Sequence, residues 1–454
     1  MGGGWPRKGT VEGQDLYIGG TPLLERIVAL GILAFTLALV MSEKVHRTVA
    51  AIIGAMMVVL AGLLTPAELL DLNGPVHWEA LGLIFGMFVM ISILKKGGFF
   101  RWIGLKVLMA ARFKIVYVFL LFSALSAVLA AFMDSITVLL FMASLTMEIT
   151  AILKISPVPF IMGEITSANI GGCATMVGDP PNIIMGTALK LSFMDFVTNL
   201  GPIAVVIFLI NLAFFYLYYQ KELKAKVNSA EFYKVYKYLM PKPEHAIKDQ
   251  RTMRIALSIF IFSLVLLVFH QPLGLSVAFI GILGAVLTML IGGGKLPKMV
   301  ERIDWRSIIF FAGLFIVVGG LDKSGVTDDI ANGIEAVAGH NLALGITLIL
   351  WVTSALSMFI DNVPMAATMV PIVRKLASNA GMQTGPLVWA TCIACDVAGN
   401  ATPIGASANI VGLSVEEKGG VHQTWRQYCR AALPATLMCL VVCNVLLVLR
   451  YVVF

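Results

Sequence analysis

The sequence predicts an all-α polytopic membrane protein of two inverted repeats, each with five transmembrane helices, one re-entrant hairpin and one broken helix. Three observations predict it. Of 454 residues, 59% are hydrophobic and 13% charged, with a mean hydropathy of +0.90, whereas a soluble domain carries about 25% charged residues. Adding 227 to a residue number in the first half lands on a similar residue in the second. Each half also interrupts its apolar runs twice, at a polar tip and at a glycine-rich break.

Long, nearly charge-free runs come first: 27–41, 49–64, 205–217, 255–269 and 437–449. A membrane helix needs about 20 residues, so the bilayer is the main solvent. The repeat follows without gaps. It pairs Gly54 with Gly281, Trp78 with Trp305, Gly86 with Gly313, Gly98 with Gly325, Asp134 with Asp361, Thr175 with Thr402 and Asn182 with Asn409. The domain reading is an N-terminal tail 1–21, a first repeat 22–219, a basic cytoplasmic linker 220–251 and a second repeat 252–454.

In the first repeat the spans read as 22–41, 47–64, 79–95, 115–153, 158–190 and 199–219. The run 115–153 is a hairpin bent at Asp134-Ser135-Ile136-Thr137, because the charge asymmetry of the loops then obeys the positive-inside rule. With the linker inside, Lys95, Lys96, Arg101, Lys106, Arg112, Lys114 and Lys154 fall inside with Lys295, Lys298, Arg302 and Arg306. The segment 65–78 and the acid-rich Asp322–Glu335 fall outside. Five spans is an odd number, so the halves are inverted and both termini are external.

Composition also excludes functions. The start has no apolar core followed by a cleavage site, so no removable signal peptide is expected. Six cysteines lie mostly in apolar runs and act as small hydrophobes; no metal site is read from them. The lysines and arginines between Lys221 and Arg254 read as a linker, not a nucleic-acid surface. No G-x-x-x-x-G-K-[ST] loop occurs, so the chain is not expected to hydrolyse ATP or to be an enzyme.

The chemistry should sit where polar residues lie at membrane depth. The tips are Asp134-Ser135-Ile136-Thr137 and Asp361-Asn362-Val363-Pro364, and the breaks run from Asn169 to Asn182 and from Asp396 to Asn409. Broken helices leave backbone groups that protein, water or a ligand must satisfy. Candidate solute and ion ligands are therefore Asp134, Ser135, Thr137, Asn169, Gly171, Gly172, Thr175, Asp179, Asn182, Asp361, Asn362, Asp396, Asn400, Thr402, Ser407 and Asn409. A carboxylate at membrane depth costs about 2.5–3.5 kcal/mol on insertion scales, which makes Asp134, Asp361, Glu164 and Asp396 candidates for proton coupling. The alternative for the tip aspartates is capping of the hairpin turn. No Lys or Arg occurs in 115–153, 155–189, 341–373 or 376–417, so the site is expected to lack a side-chain cation. That favours a neutral hydroxylated solute, a proton or a metal cation.

At Gly178-Asp179-Pro180-Pro181-Asn182, Asp361-Asn362-Val363-Pro364, Thr402-Pro403-Ile404-Gly405 and Gly405-Ala406-Ser407-Ala408-Asn409 the chain resembles the ArsB/P-protein branch of the ion transporter superfamily. That branch is related to NhaD and to divalent-anion and citrate carriers. The resemblance covers roughly 22–449 and implies an elevator-like fold, a homodimer and a prokaryotic cell membrane. Its tips depart from the Ser-Asn-Thr of the divalent-anion carriers. The expected function is proton-coupled efflux of arsenite or antimonite. The alternatives are Na+/H+ antiport or carriage of citrate, sulfate or chloride. Expected partners are a small inorganic solute, a coupling Na+ or H+, membrane lipid and, as in ArsB systems, a separate ATPase subunit.

Overall fold

The computed structural model describes residues 17–18, 21–42, 44–72, 74–112, 114–224, 242–292, 301, 303–379 and 381–453. Apart from a two-residue bridge between Tyr17–Ile18 and Thr21–Pro22, its regular structure is helical. The N-terminal positions 1–16, the linker core 225–241 and Lys295, Lys298 and Arg302 lie outside the described residues.

The first half runs through α1 (Leu23–Met41), α2 (Arg47–Leu60), a short α3 (Pro66–Leu70), α4 (Trp78–Gly97), α5 (Phe99–Ala110), α6 (Ile115–Ala130), α7 (Ser135–Leu153), α8 (Val158–Gly172), α9 (Pro180–Ala188), α10 (Phe193–Tyr218) and a final turn α11 (Gln220–Leu223). The second half repeats the order with α12 (Gln250–Val268), α13 (Val277–Gly292), α14 (Trp305–Lys323), α15 (Val326–Ala338), α16 (Leu342–Ser357), α17 (Asn362–Asn379), α18 (Thr384–Ala398), α19 (Ser407–Lys418) and α20 (Trp425–Val448). The offset of 227 carries α1 onto α12 and α6 onto α16 at both ends. Among the described residues, seven helices are long and apolar enough to cross a membrane, and four shorter apolar helices accompany them.

Packing divides these helices into two bodies. A framework joins α1, α2 and α4 to α12, α13 and α14; a core joins α6 to α10 with α16 to α20. Helix α4 packs on α13 as α14 packs on α2, and α7 packs on α19 as α17 packs on α9. Partners exchange between halves, which is what a two-fold relation produces. Glycine sets the framework distance: a Cβ on Gly86 would lie 2.2 Å from the Gly281 carbonyl, and one on Gly313 would lie 3.0 Å from the Ala51 backbone. Small residues let apolar helices approach where no hydrophobic effect drives them together.

Two elements differ from the sequence reading. Helices α5 and α15 were not expected, and Asp322–Glu335, read as an outer loop, is mostly helix. Each follows its predecessor through a left-handed glycine, Gly98 at φ 87° and Gly325 at φ 81°, a backbone setting in which a side chain is strained. Asp328 and Asp329 occupy the first turn of α15, where the helix dipole favours negative charge. Acidity there marks a helix start.

Candidate functional site

Each hairpin is fastened to the break of its own half. The Thr175 hydroxyl donates to the Ala131 carbonyl, and the Thr402 hydroxyl donates to the Met358 carbonyl. The breaks are shorter than expected: α8 is helical through Gly172, so Asn169, Gly171 and Gly172 belong to the helix and the break covers 173–179. In the second half, α18 holds Asp396, and a 3-10 turn over Gly399–Ala401 precedes the break.

The freed carbonyls are largely satisfied by the chain itself. Asn182 Nδ2 donates to Gly172 O at 3.0 Å and Thr175 O at 2.8 Å. Asn409 Nδ2 repeats this with Gly399 O at 2.8 Å and Thr402 O at 2.9 Å. Buried backbone groups must be paired, and the hydroxyls of Thr175 and Thr402 and the amides of Asn182 and Asn409 do this, while Asn182 Oδ1 has no partner in the structure. A Cβ on Gly171 would lie 2.1 Å from the Ala127 carbonyl, so that glycine is set by helix packing.

Chemistry converges between the halves. Asp179 Oδ1 accepts from Ser135 Oγ at 2.8 Å, and its Oδ2 accepts from Asn362 Nδ2 at 2.9 Å. The same Asn362 amide lies 3.3 Å from Asp396 Oδ1. Asp179 is 3% and Asp396 0% exposed, and Asp396 Oδ2 has no hydrogen-bond partner in the structure. Beside this bridge, Asn169 Nδ2 donates to Asn400 Oδ1 at 2.7 Å and to Asn409 Oδ1 at 2.9 Å, while Asn400 Nδ2 donates to Thr166 O at 3.3 Å.

The tip aspartates do cap their helices. Asp134 Oδ1 accepts from Thr137 N at 2.8 Å, and Asp361 Oδ1 accepts from Val363 N at 3.3 Å. Both also line a cavity of about 530 Å³ together with Ser135, Thr137, Asp179, Asn362 and Ser407. Asp361 takes the Ser407 hydroxyl, while Asp134 Oδ2 has no partner in the structure. Glu164 lies elsewhere, fully buried and bound by the Thr146 hydroxyl.

The expected absence of a side-chain cation is overturned. Arg47, at the start of α2, donates through Nη1 to Ser407 Oγ at 2.8 Å and through Nη2 to Ser307 Oγ at 3.1 Å, and its guanidinium lies 5.5 Å from the Phe310 ring centre. Lys95 and Arg306 line the same cavity. The hairpin tips and breaks carry no cation of their own; these three belong to the framework that faces them. Arg47 follows a short polar loop between two apolar spans, and nothing in its own segment points toward Ser407.

A second recess of about 430 Å³ is lined by Glu68, His77, Lys323 and Arg374. Glu68 pairs with Lys323 at 2.6 Å, and that hydrogen bond holds its carboxyl down at about 2. Burial, with Arg374 nearby, lowers His77 to about 4, so its imidazole is neutral at pH 7.

The comparisons with known proteins agree with this architecture. A family model described as "Citrate transporter" matches residues 37–394. An uncharacterized transporter of Mycobacterium tuberculosis is 30% identical over 430 residues, covering 94% of this chain and 99% of that one. The P protein of Homo sapiens is 28% identical over 506 residues, covering 94% of this chain and 60% of that protein. The crystal structure of the Alcanivorax borkumensis YdaH transporter aligns with a TM-score of 0.55 and 11% identity, over 94% of this chain and 97% of that one; it supports the fold alone. Bacterial relatives and the apolar helices make this a multi-pass protein of a prokaryotic cell membrane. The chain belongs to the citrate transporter family of membrane transporters.

Proposed function

We propose that this chain is a secondary active transporter that moves protons together with a small oxygen-rich anion through the cavity at the hairpin tips. The observation that carries the reading is the Asp179–Asn362–Asp396 bridge, two buried carboxylates from different halves sharing one amide. Two like charges in one dry site favour keeping a proton or recruiting a cation. Loading or releasing that charge changes what the cavity attracts, which is the physical content of coupling.

An anion fits better than a neutral solute because Arg47, Lys95 and Arg306 border the cavity. An anion alone would also meet Asp134, Asp179, Glu301, Asp304 and Asp361, so it must travel with protons or a cation that neutralises them. Citrate, named by the family model, is the first candidate. Export of arsenite or antimonite as neutral trihydroxy acids is the second reading, favoured by the hydroxyls and amide of Ser135, Thr137, Asn362 and Ser407 on the same wall.

The test uses proteoliposomes with a pH dye inside, offered citrate, arsenite, antimonite and Na+ in turn. Citrate-dependent proton movement is expected, and Asp179→Asn and Asp396→Asn should abolish it. Proton movement with arsenite or antimonite but not citrate selects the second reading, and with Na+ alone it selects antiport. Proton movement with none of the four sinks the proposal.

A further inference from the structure

Glu164 stands apart from the cavity. It lies in α8 with no exposed surface, one oxygen held by the Thr146 hydroxyl and Oε2 without a hydrogen-bond partner in the structure. An ionised carboxylate left unpaired in an apolar interior is costly enough that such groups neutralise instead. The equivalent position 227 residues on is Thr391, and Thr146 is matched by Val373. The second half therefore builds the same helix packing from α16, α17 and α18 without an acid there.

The surroundings are those of a proton site. Ser123 and Ser126 of α6 and Ser167 of α8 also have hydroxyls without partners in the structure. Ser123 lies at the α6–α8 interface, where a Cβ on Gly163 would lie 2.7 Å from its Oγ. The second half carries Leu350, Thr353 and Ala394 at these places. Thr146 and Thr150 line a small cavity of about 10 Å³ that reaches Ile115 and Ile155 at the open end of the hairpin, beside Lys114 and Lys154. The Thr150 hydroxyl donates to the Thr146 carbonyl at 2.8 Å, one turn below the Thr146 hydroxyl that holds Glu164.

No ion pair reaches Glu164 among the described residues. On the helices packed around α8, Glu148 of α7 pairs with Arg101, Glu416 of α19 takes the Gln423 amide, Asp396 of α18 takes Asn362, and Asp195 of α10 caps its own helix. The other titratable groups there are the buried thiols of Cys392 and Cys395 on α18 and Cys173 at the end of α8, the exposed Tyr117 of α6, Tyr216 and Tyr218 of α10, and Glu417 and Lys418 at the end of α19.

We infer that Glu164 is a second proton-binding site, separate from the carboxylates of the central cavity and carried by the first half alone. It exchanges its proton along Thr146 and Thr150 with the membrane face that bears Lys114 and Lys154. The inference deepens the proton-coupled reading above, and its role in transport rests on that reading.

The test is infrared difference spectroscopy of the purified full chain in lipid, without substrate, as the pH is stepped from acid to alkaline. Wild type should lose a protonated-carboxyl band typical of an apolar setting. Glu164→Gln and Glu164→Thr should both lack it, the second variant installing the residue that the other half uses. Thr146→Val keeps the carboxyl and should shift the band. A wild type without the band, a band that survives both Glu164 variants, or a band indifferent to Thr146→Val each overturns the inference. The spectra need no substrate, so a failure here is distinguishable from a failure of coupled transport in proteoliposomes.

Discussion

Replacing Arg47 by Gln separates an anion from a neutral passenger. The guanidinium makes two hydrogen bonds, to Ser407 Oγ at 2.8 Å and Ser307 Oγ at 3.1 Å, at the border of the cavity. An arriving carboxylate would take the place of one serine on the same fork. A hydrogen bond to a charged group contributes about 1.5–3 kcal/mol, and each 1.4 kcal/mol is tenfold in affinity. Losing one such contact should raise the KM for citrate by about 10- to 140-fold. Arsenite, neutral and needing no guanidinium, should change by less than about threefold under the same rule. Arg47→Lys keeps the charge but not the fork, and it should fall between wild type and Arg47→Gln. The assay is initial-rate uptake into proteoliposomes over a range of citrate and of arsenite concentrations. Equal changes for both solutes, or an unchanged citrate KM, would refute the assignment of Arg47 to anion recognition.

Other perturbations follow from the same geometry. Asp134→Asn and Asp361→Asn keep an oxygen able to accept the capping amides of Thr137 and Val363, so both should purify and melt like wild type while losing transport; wild-type pH dependence in both would reject their coupling role. Gly86→Ala puts a methyl 2.2 Å from the Gly281 backbone, where neither side can give, whereas Gly31→Ala meets nothing within 4 Å. Overpacking costs about 1–3 kcal/mol, so thermal melting in detergent should fall clearly for Gly86→Ala and stay level or rise for Gly31→Ala. His77 is lowered to about 4 in the folded chain, by burial first and Arg374 second, from its ordinary 6.5. Below pH 6.5 the unfolded chain binds a proton that the folded chain refuses, so stability is lost as pH falls from about 6.5 toward 4. Melting curves at pH 7.5 and 5 should differ less for His77→Gln than for wild type, and an equal difference would contradict this.

The repeat, the hairpin tips and the breaks were legible because each leaves a local signature: a fixed offset, an aspartate inside an apolar run, and glycine beside proline. Asp179, Asp396, Asn362 and Ser135 were named from those signatures, and the structure brings all four together. Their division of labour was not legible. Asn182 and Asn409 look like ligands in sequence but donate to the carbonyls of their own breaks, because an asparagine amide satisfies a freed carbonyl as readily as a solute does. Arg47 was missed for the opposite reason. Its partners Ser407 and Ser307 are distant in sequence and belong to different bodies of the fold, and a side chain that reaches across such a boundary leaves no trace in its own segment. Helices α5 and α15 were missed because an amphipathic surface helix resembles a charged loop when only hydropathy is read.

The two-fold frame carries a chemistry that is not two-fold, and electrostatics explains why. Position 179 corresponds to Ala406, and position 396 corresponds to Asn169. A symmetric site would place four carboxylates around Asn362, Asn400 and Asn409, all buried, and like charges in such a setting cannot all ionise. Asn169 supplies a donor where its counterpart supplies a charge, and it spends that amide on Asn400 and Asn409. The site keeps one carboxylate from each half, and both reach the same Asn362 amide. Asn169→Asp would make positions 169 and 396 alike by adding a buried charge against Asn400 and Asn409. It should therefore bind an extra proton or cation when it folds, and a charge-neutral outcome in proton-release measurements would show that the asymmetry has another origin.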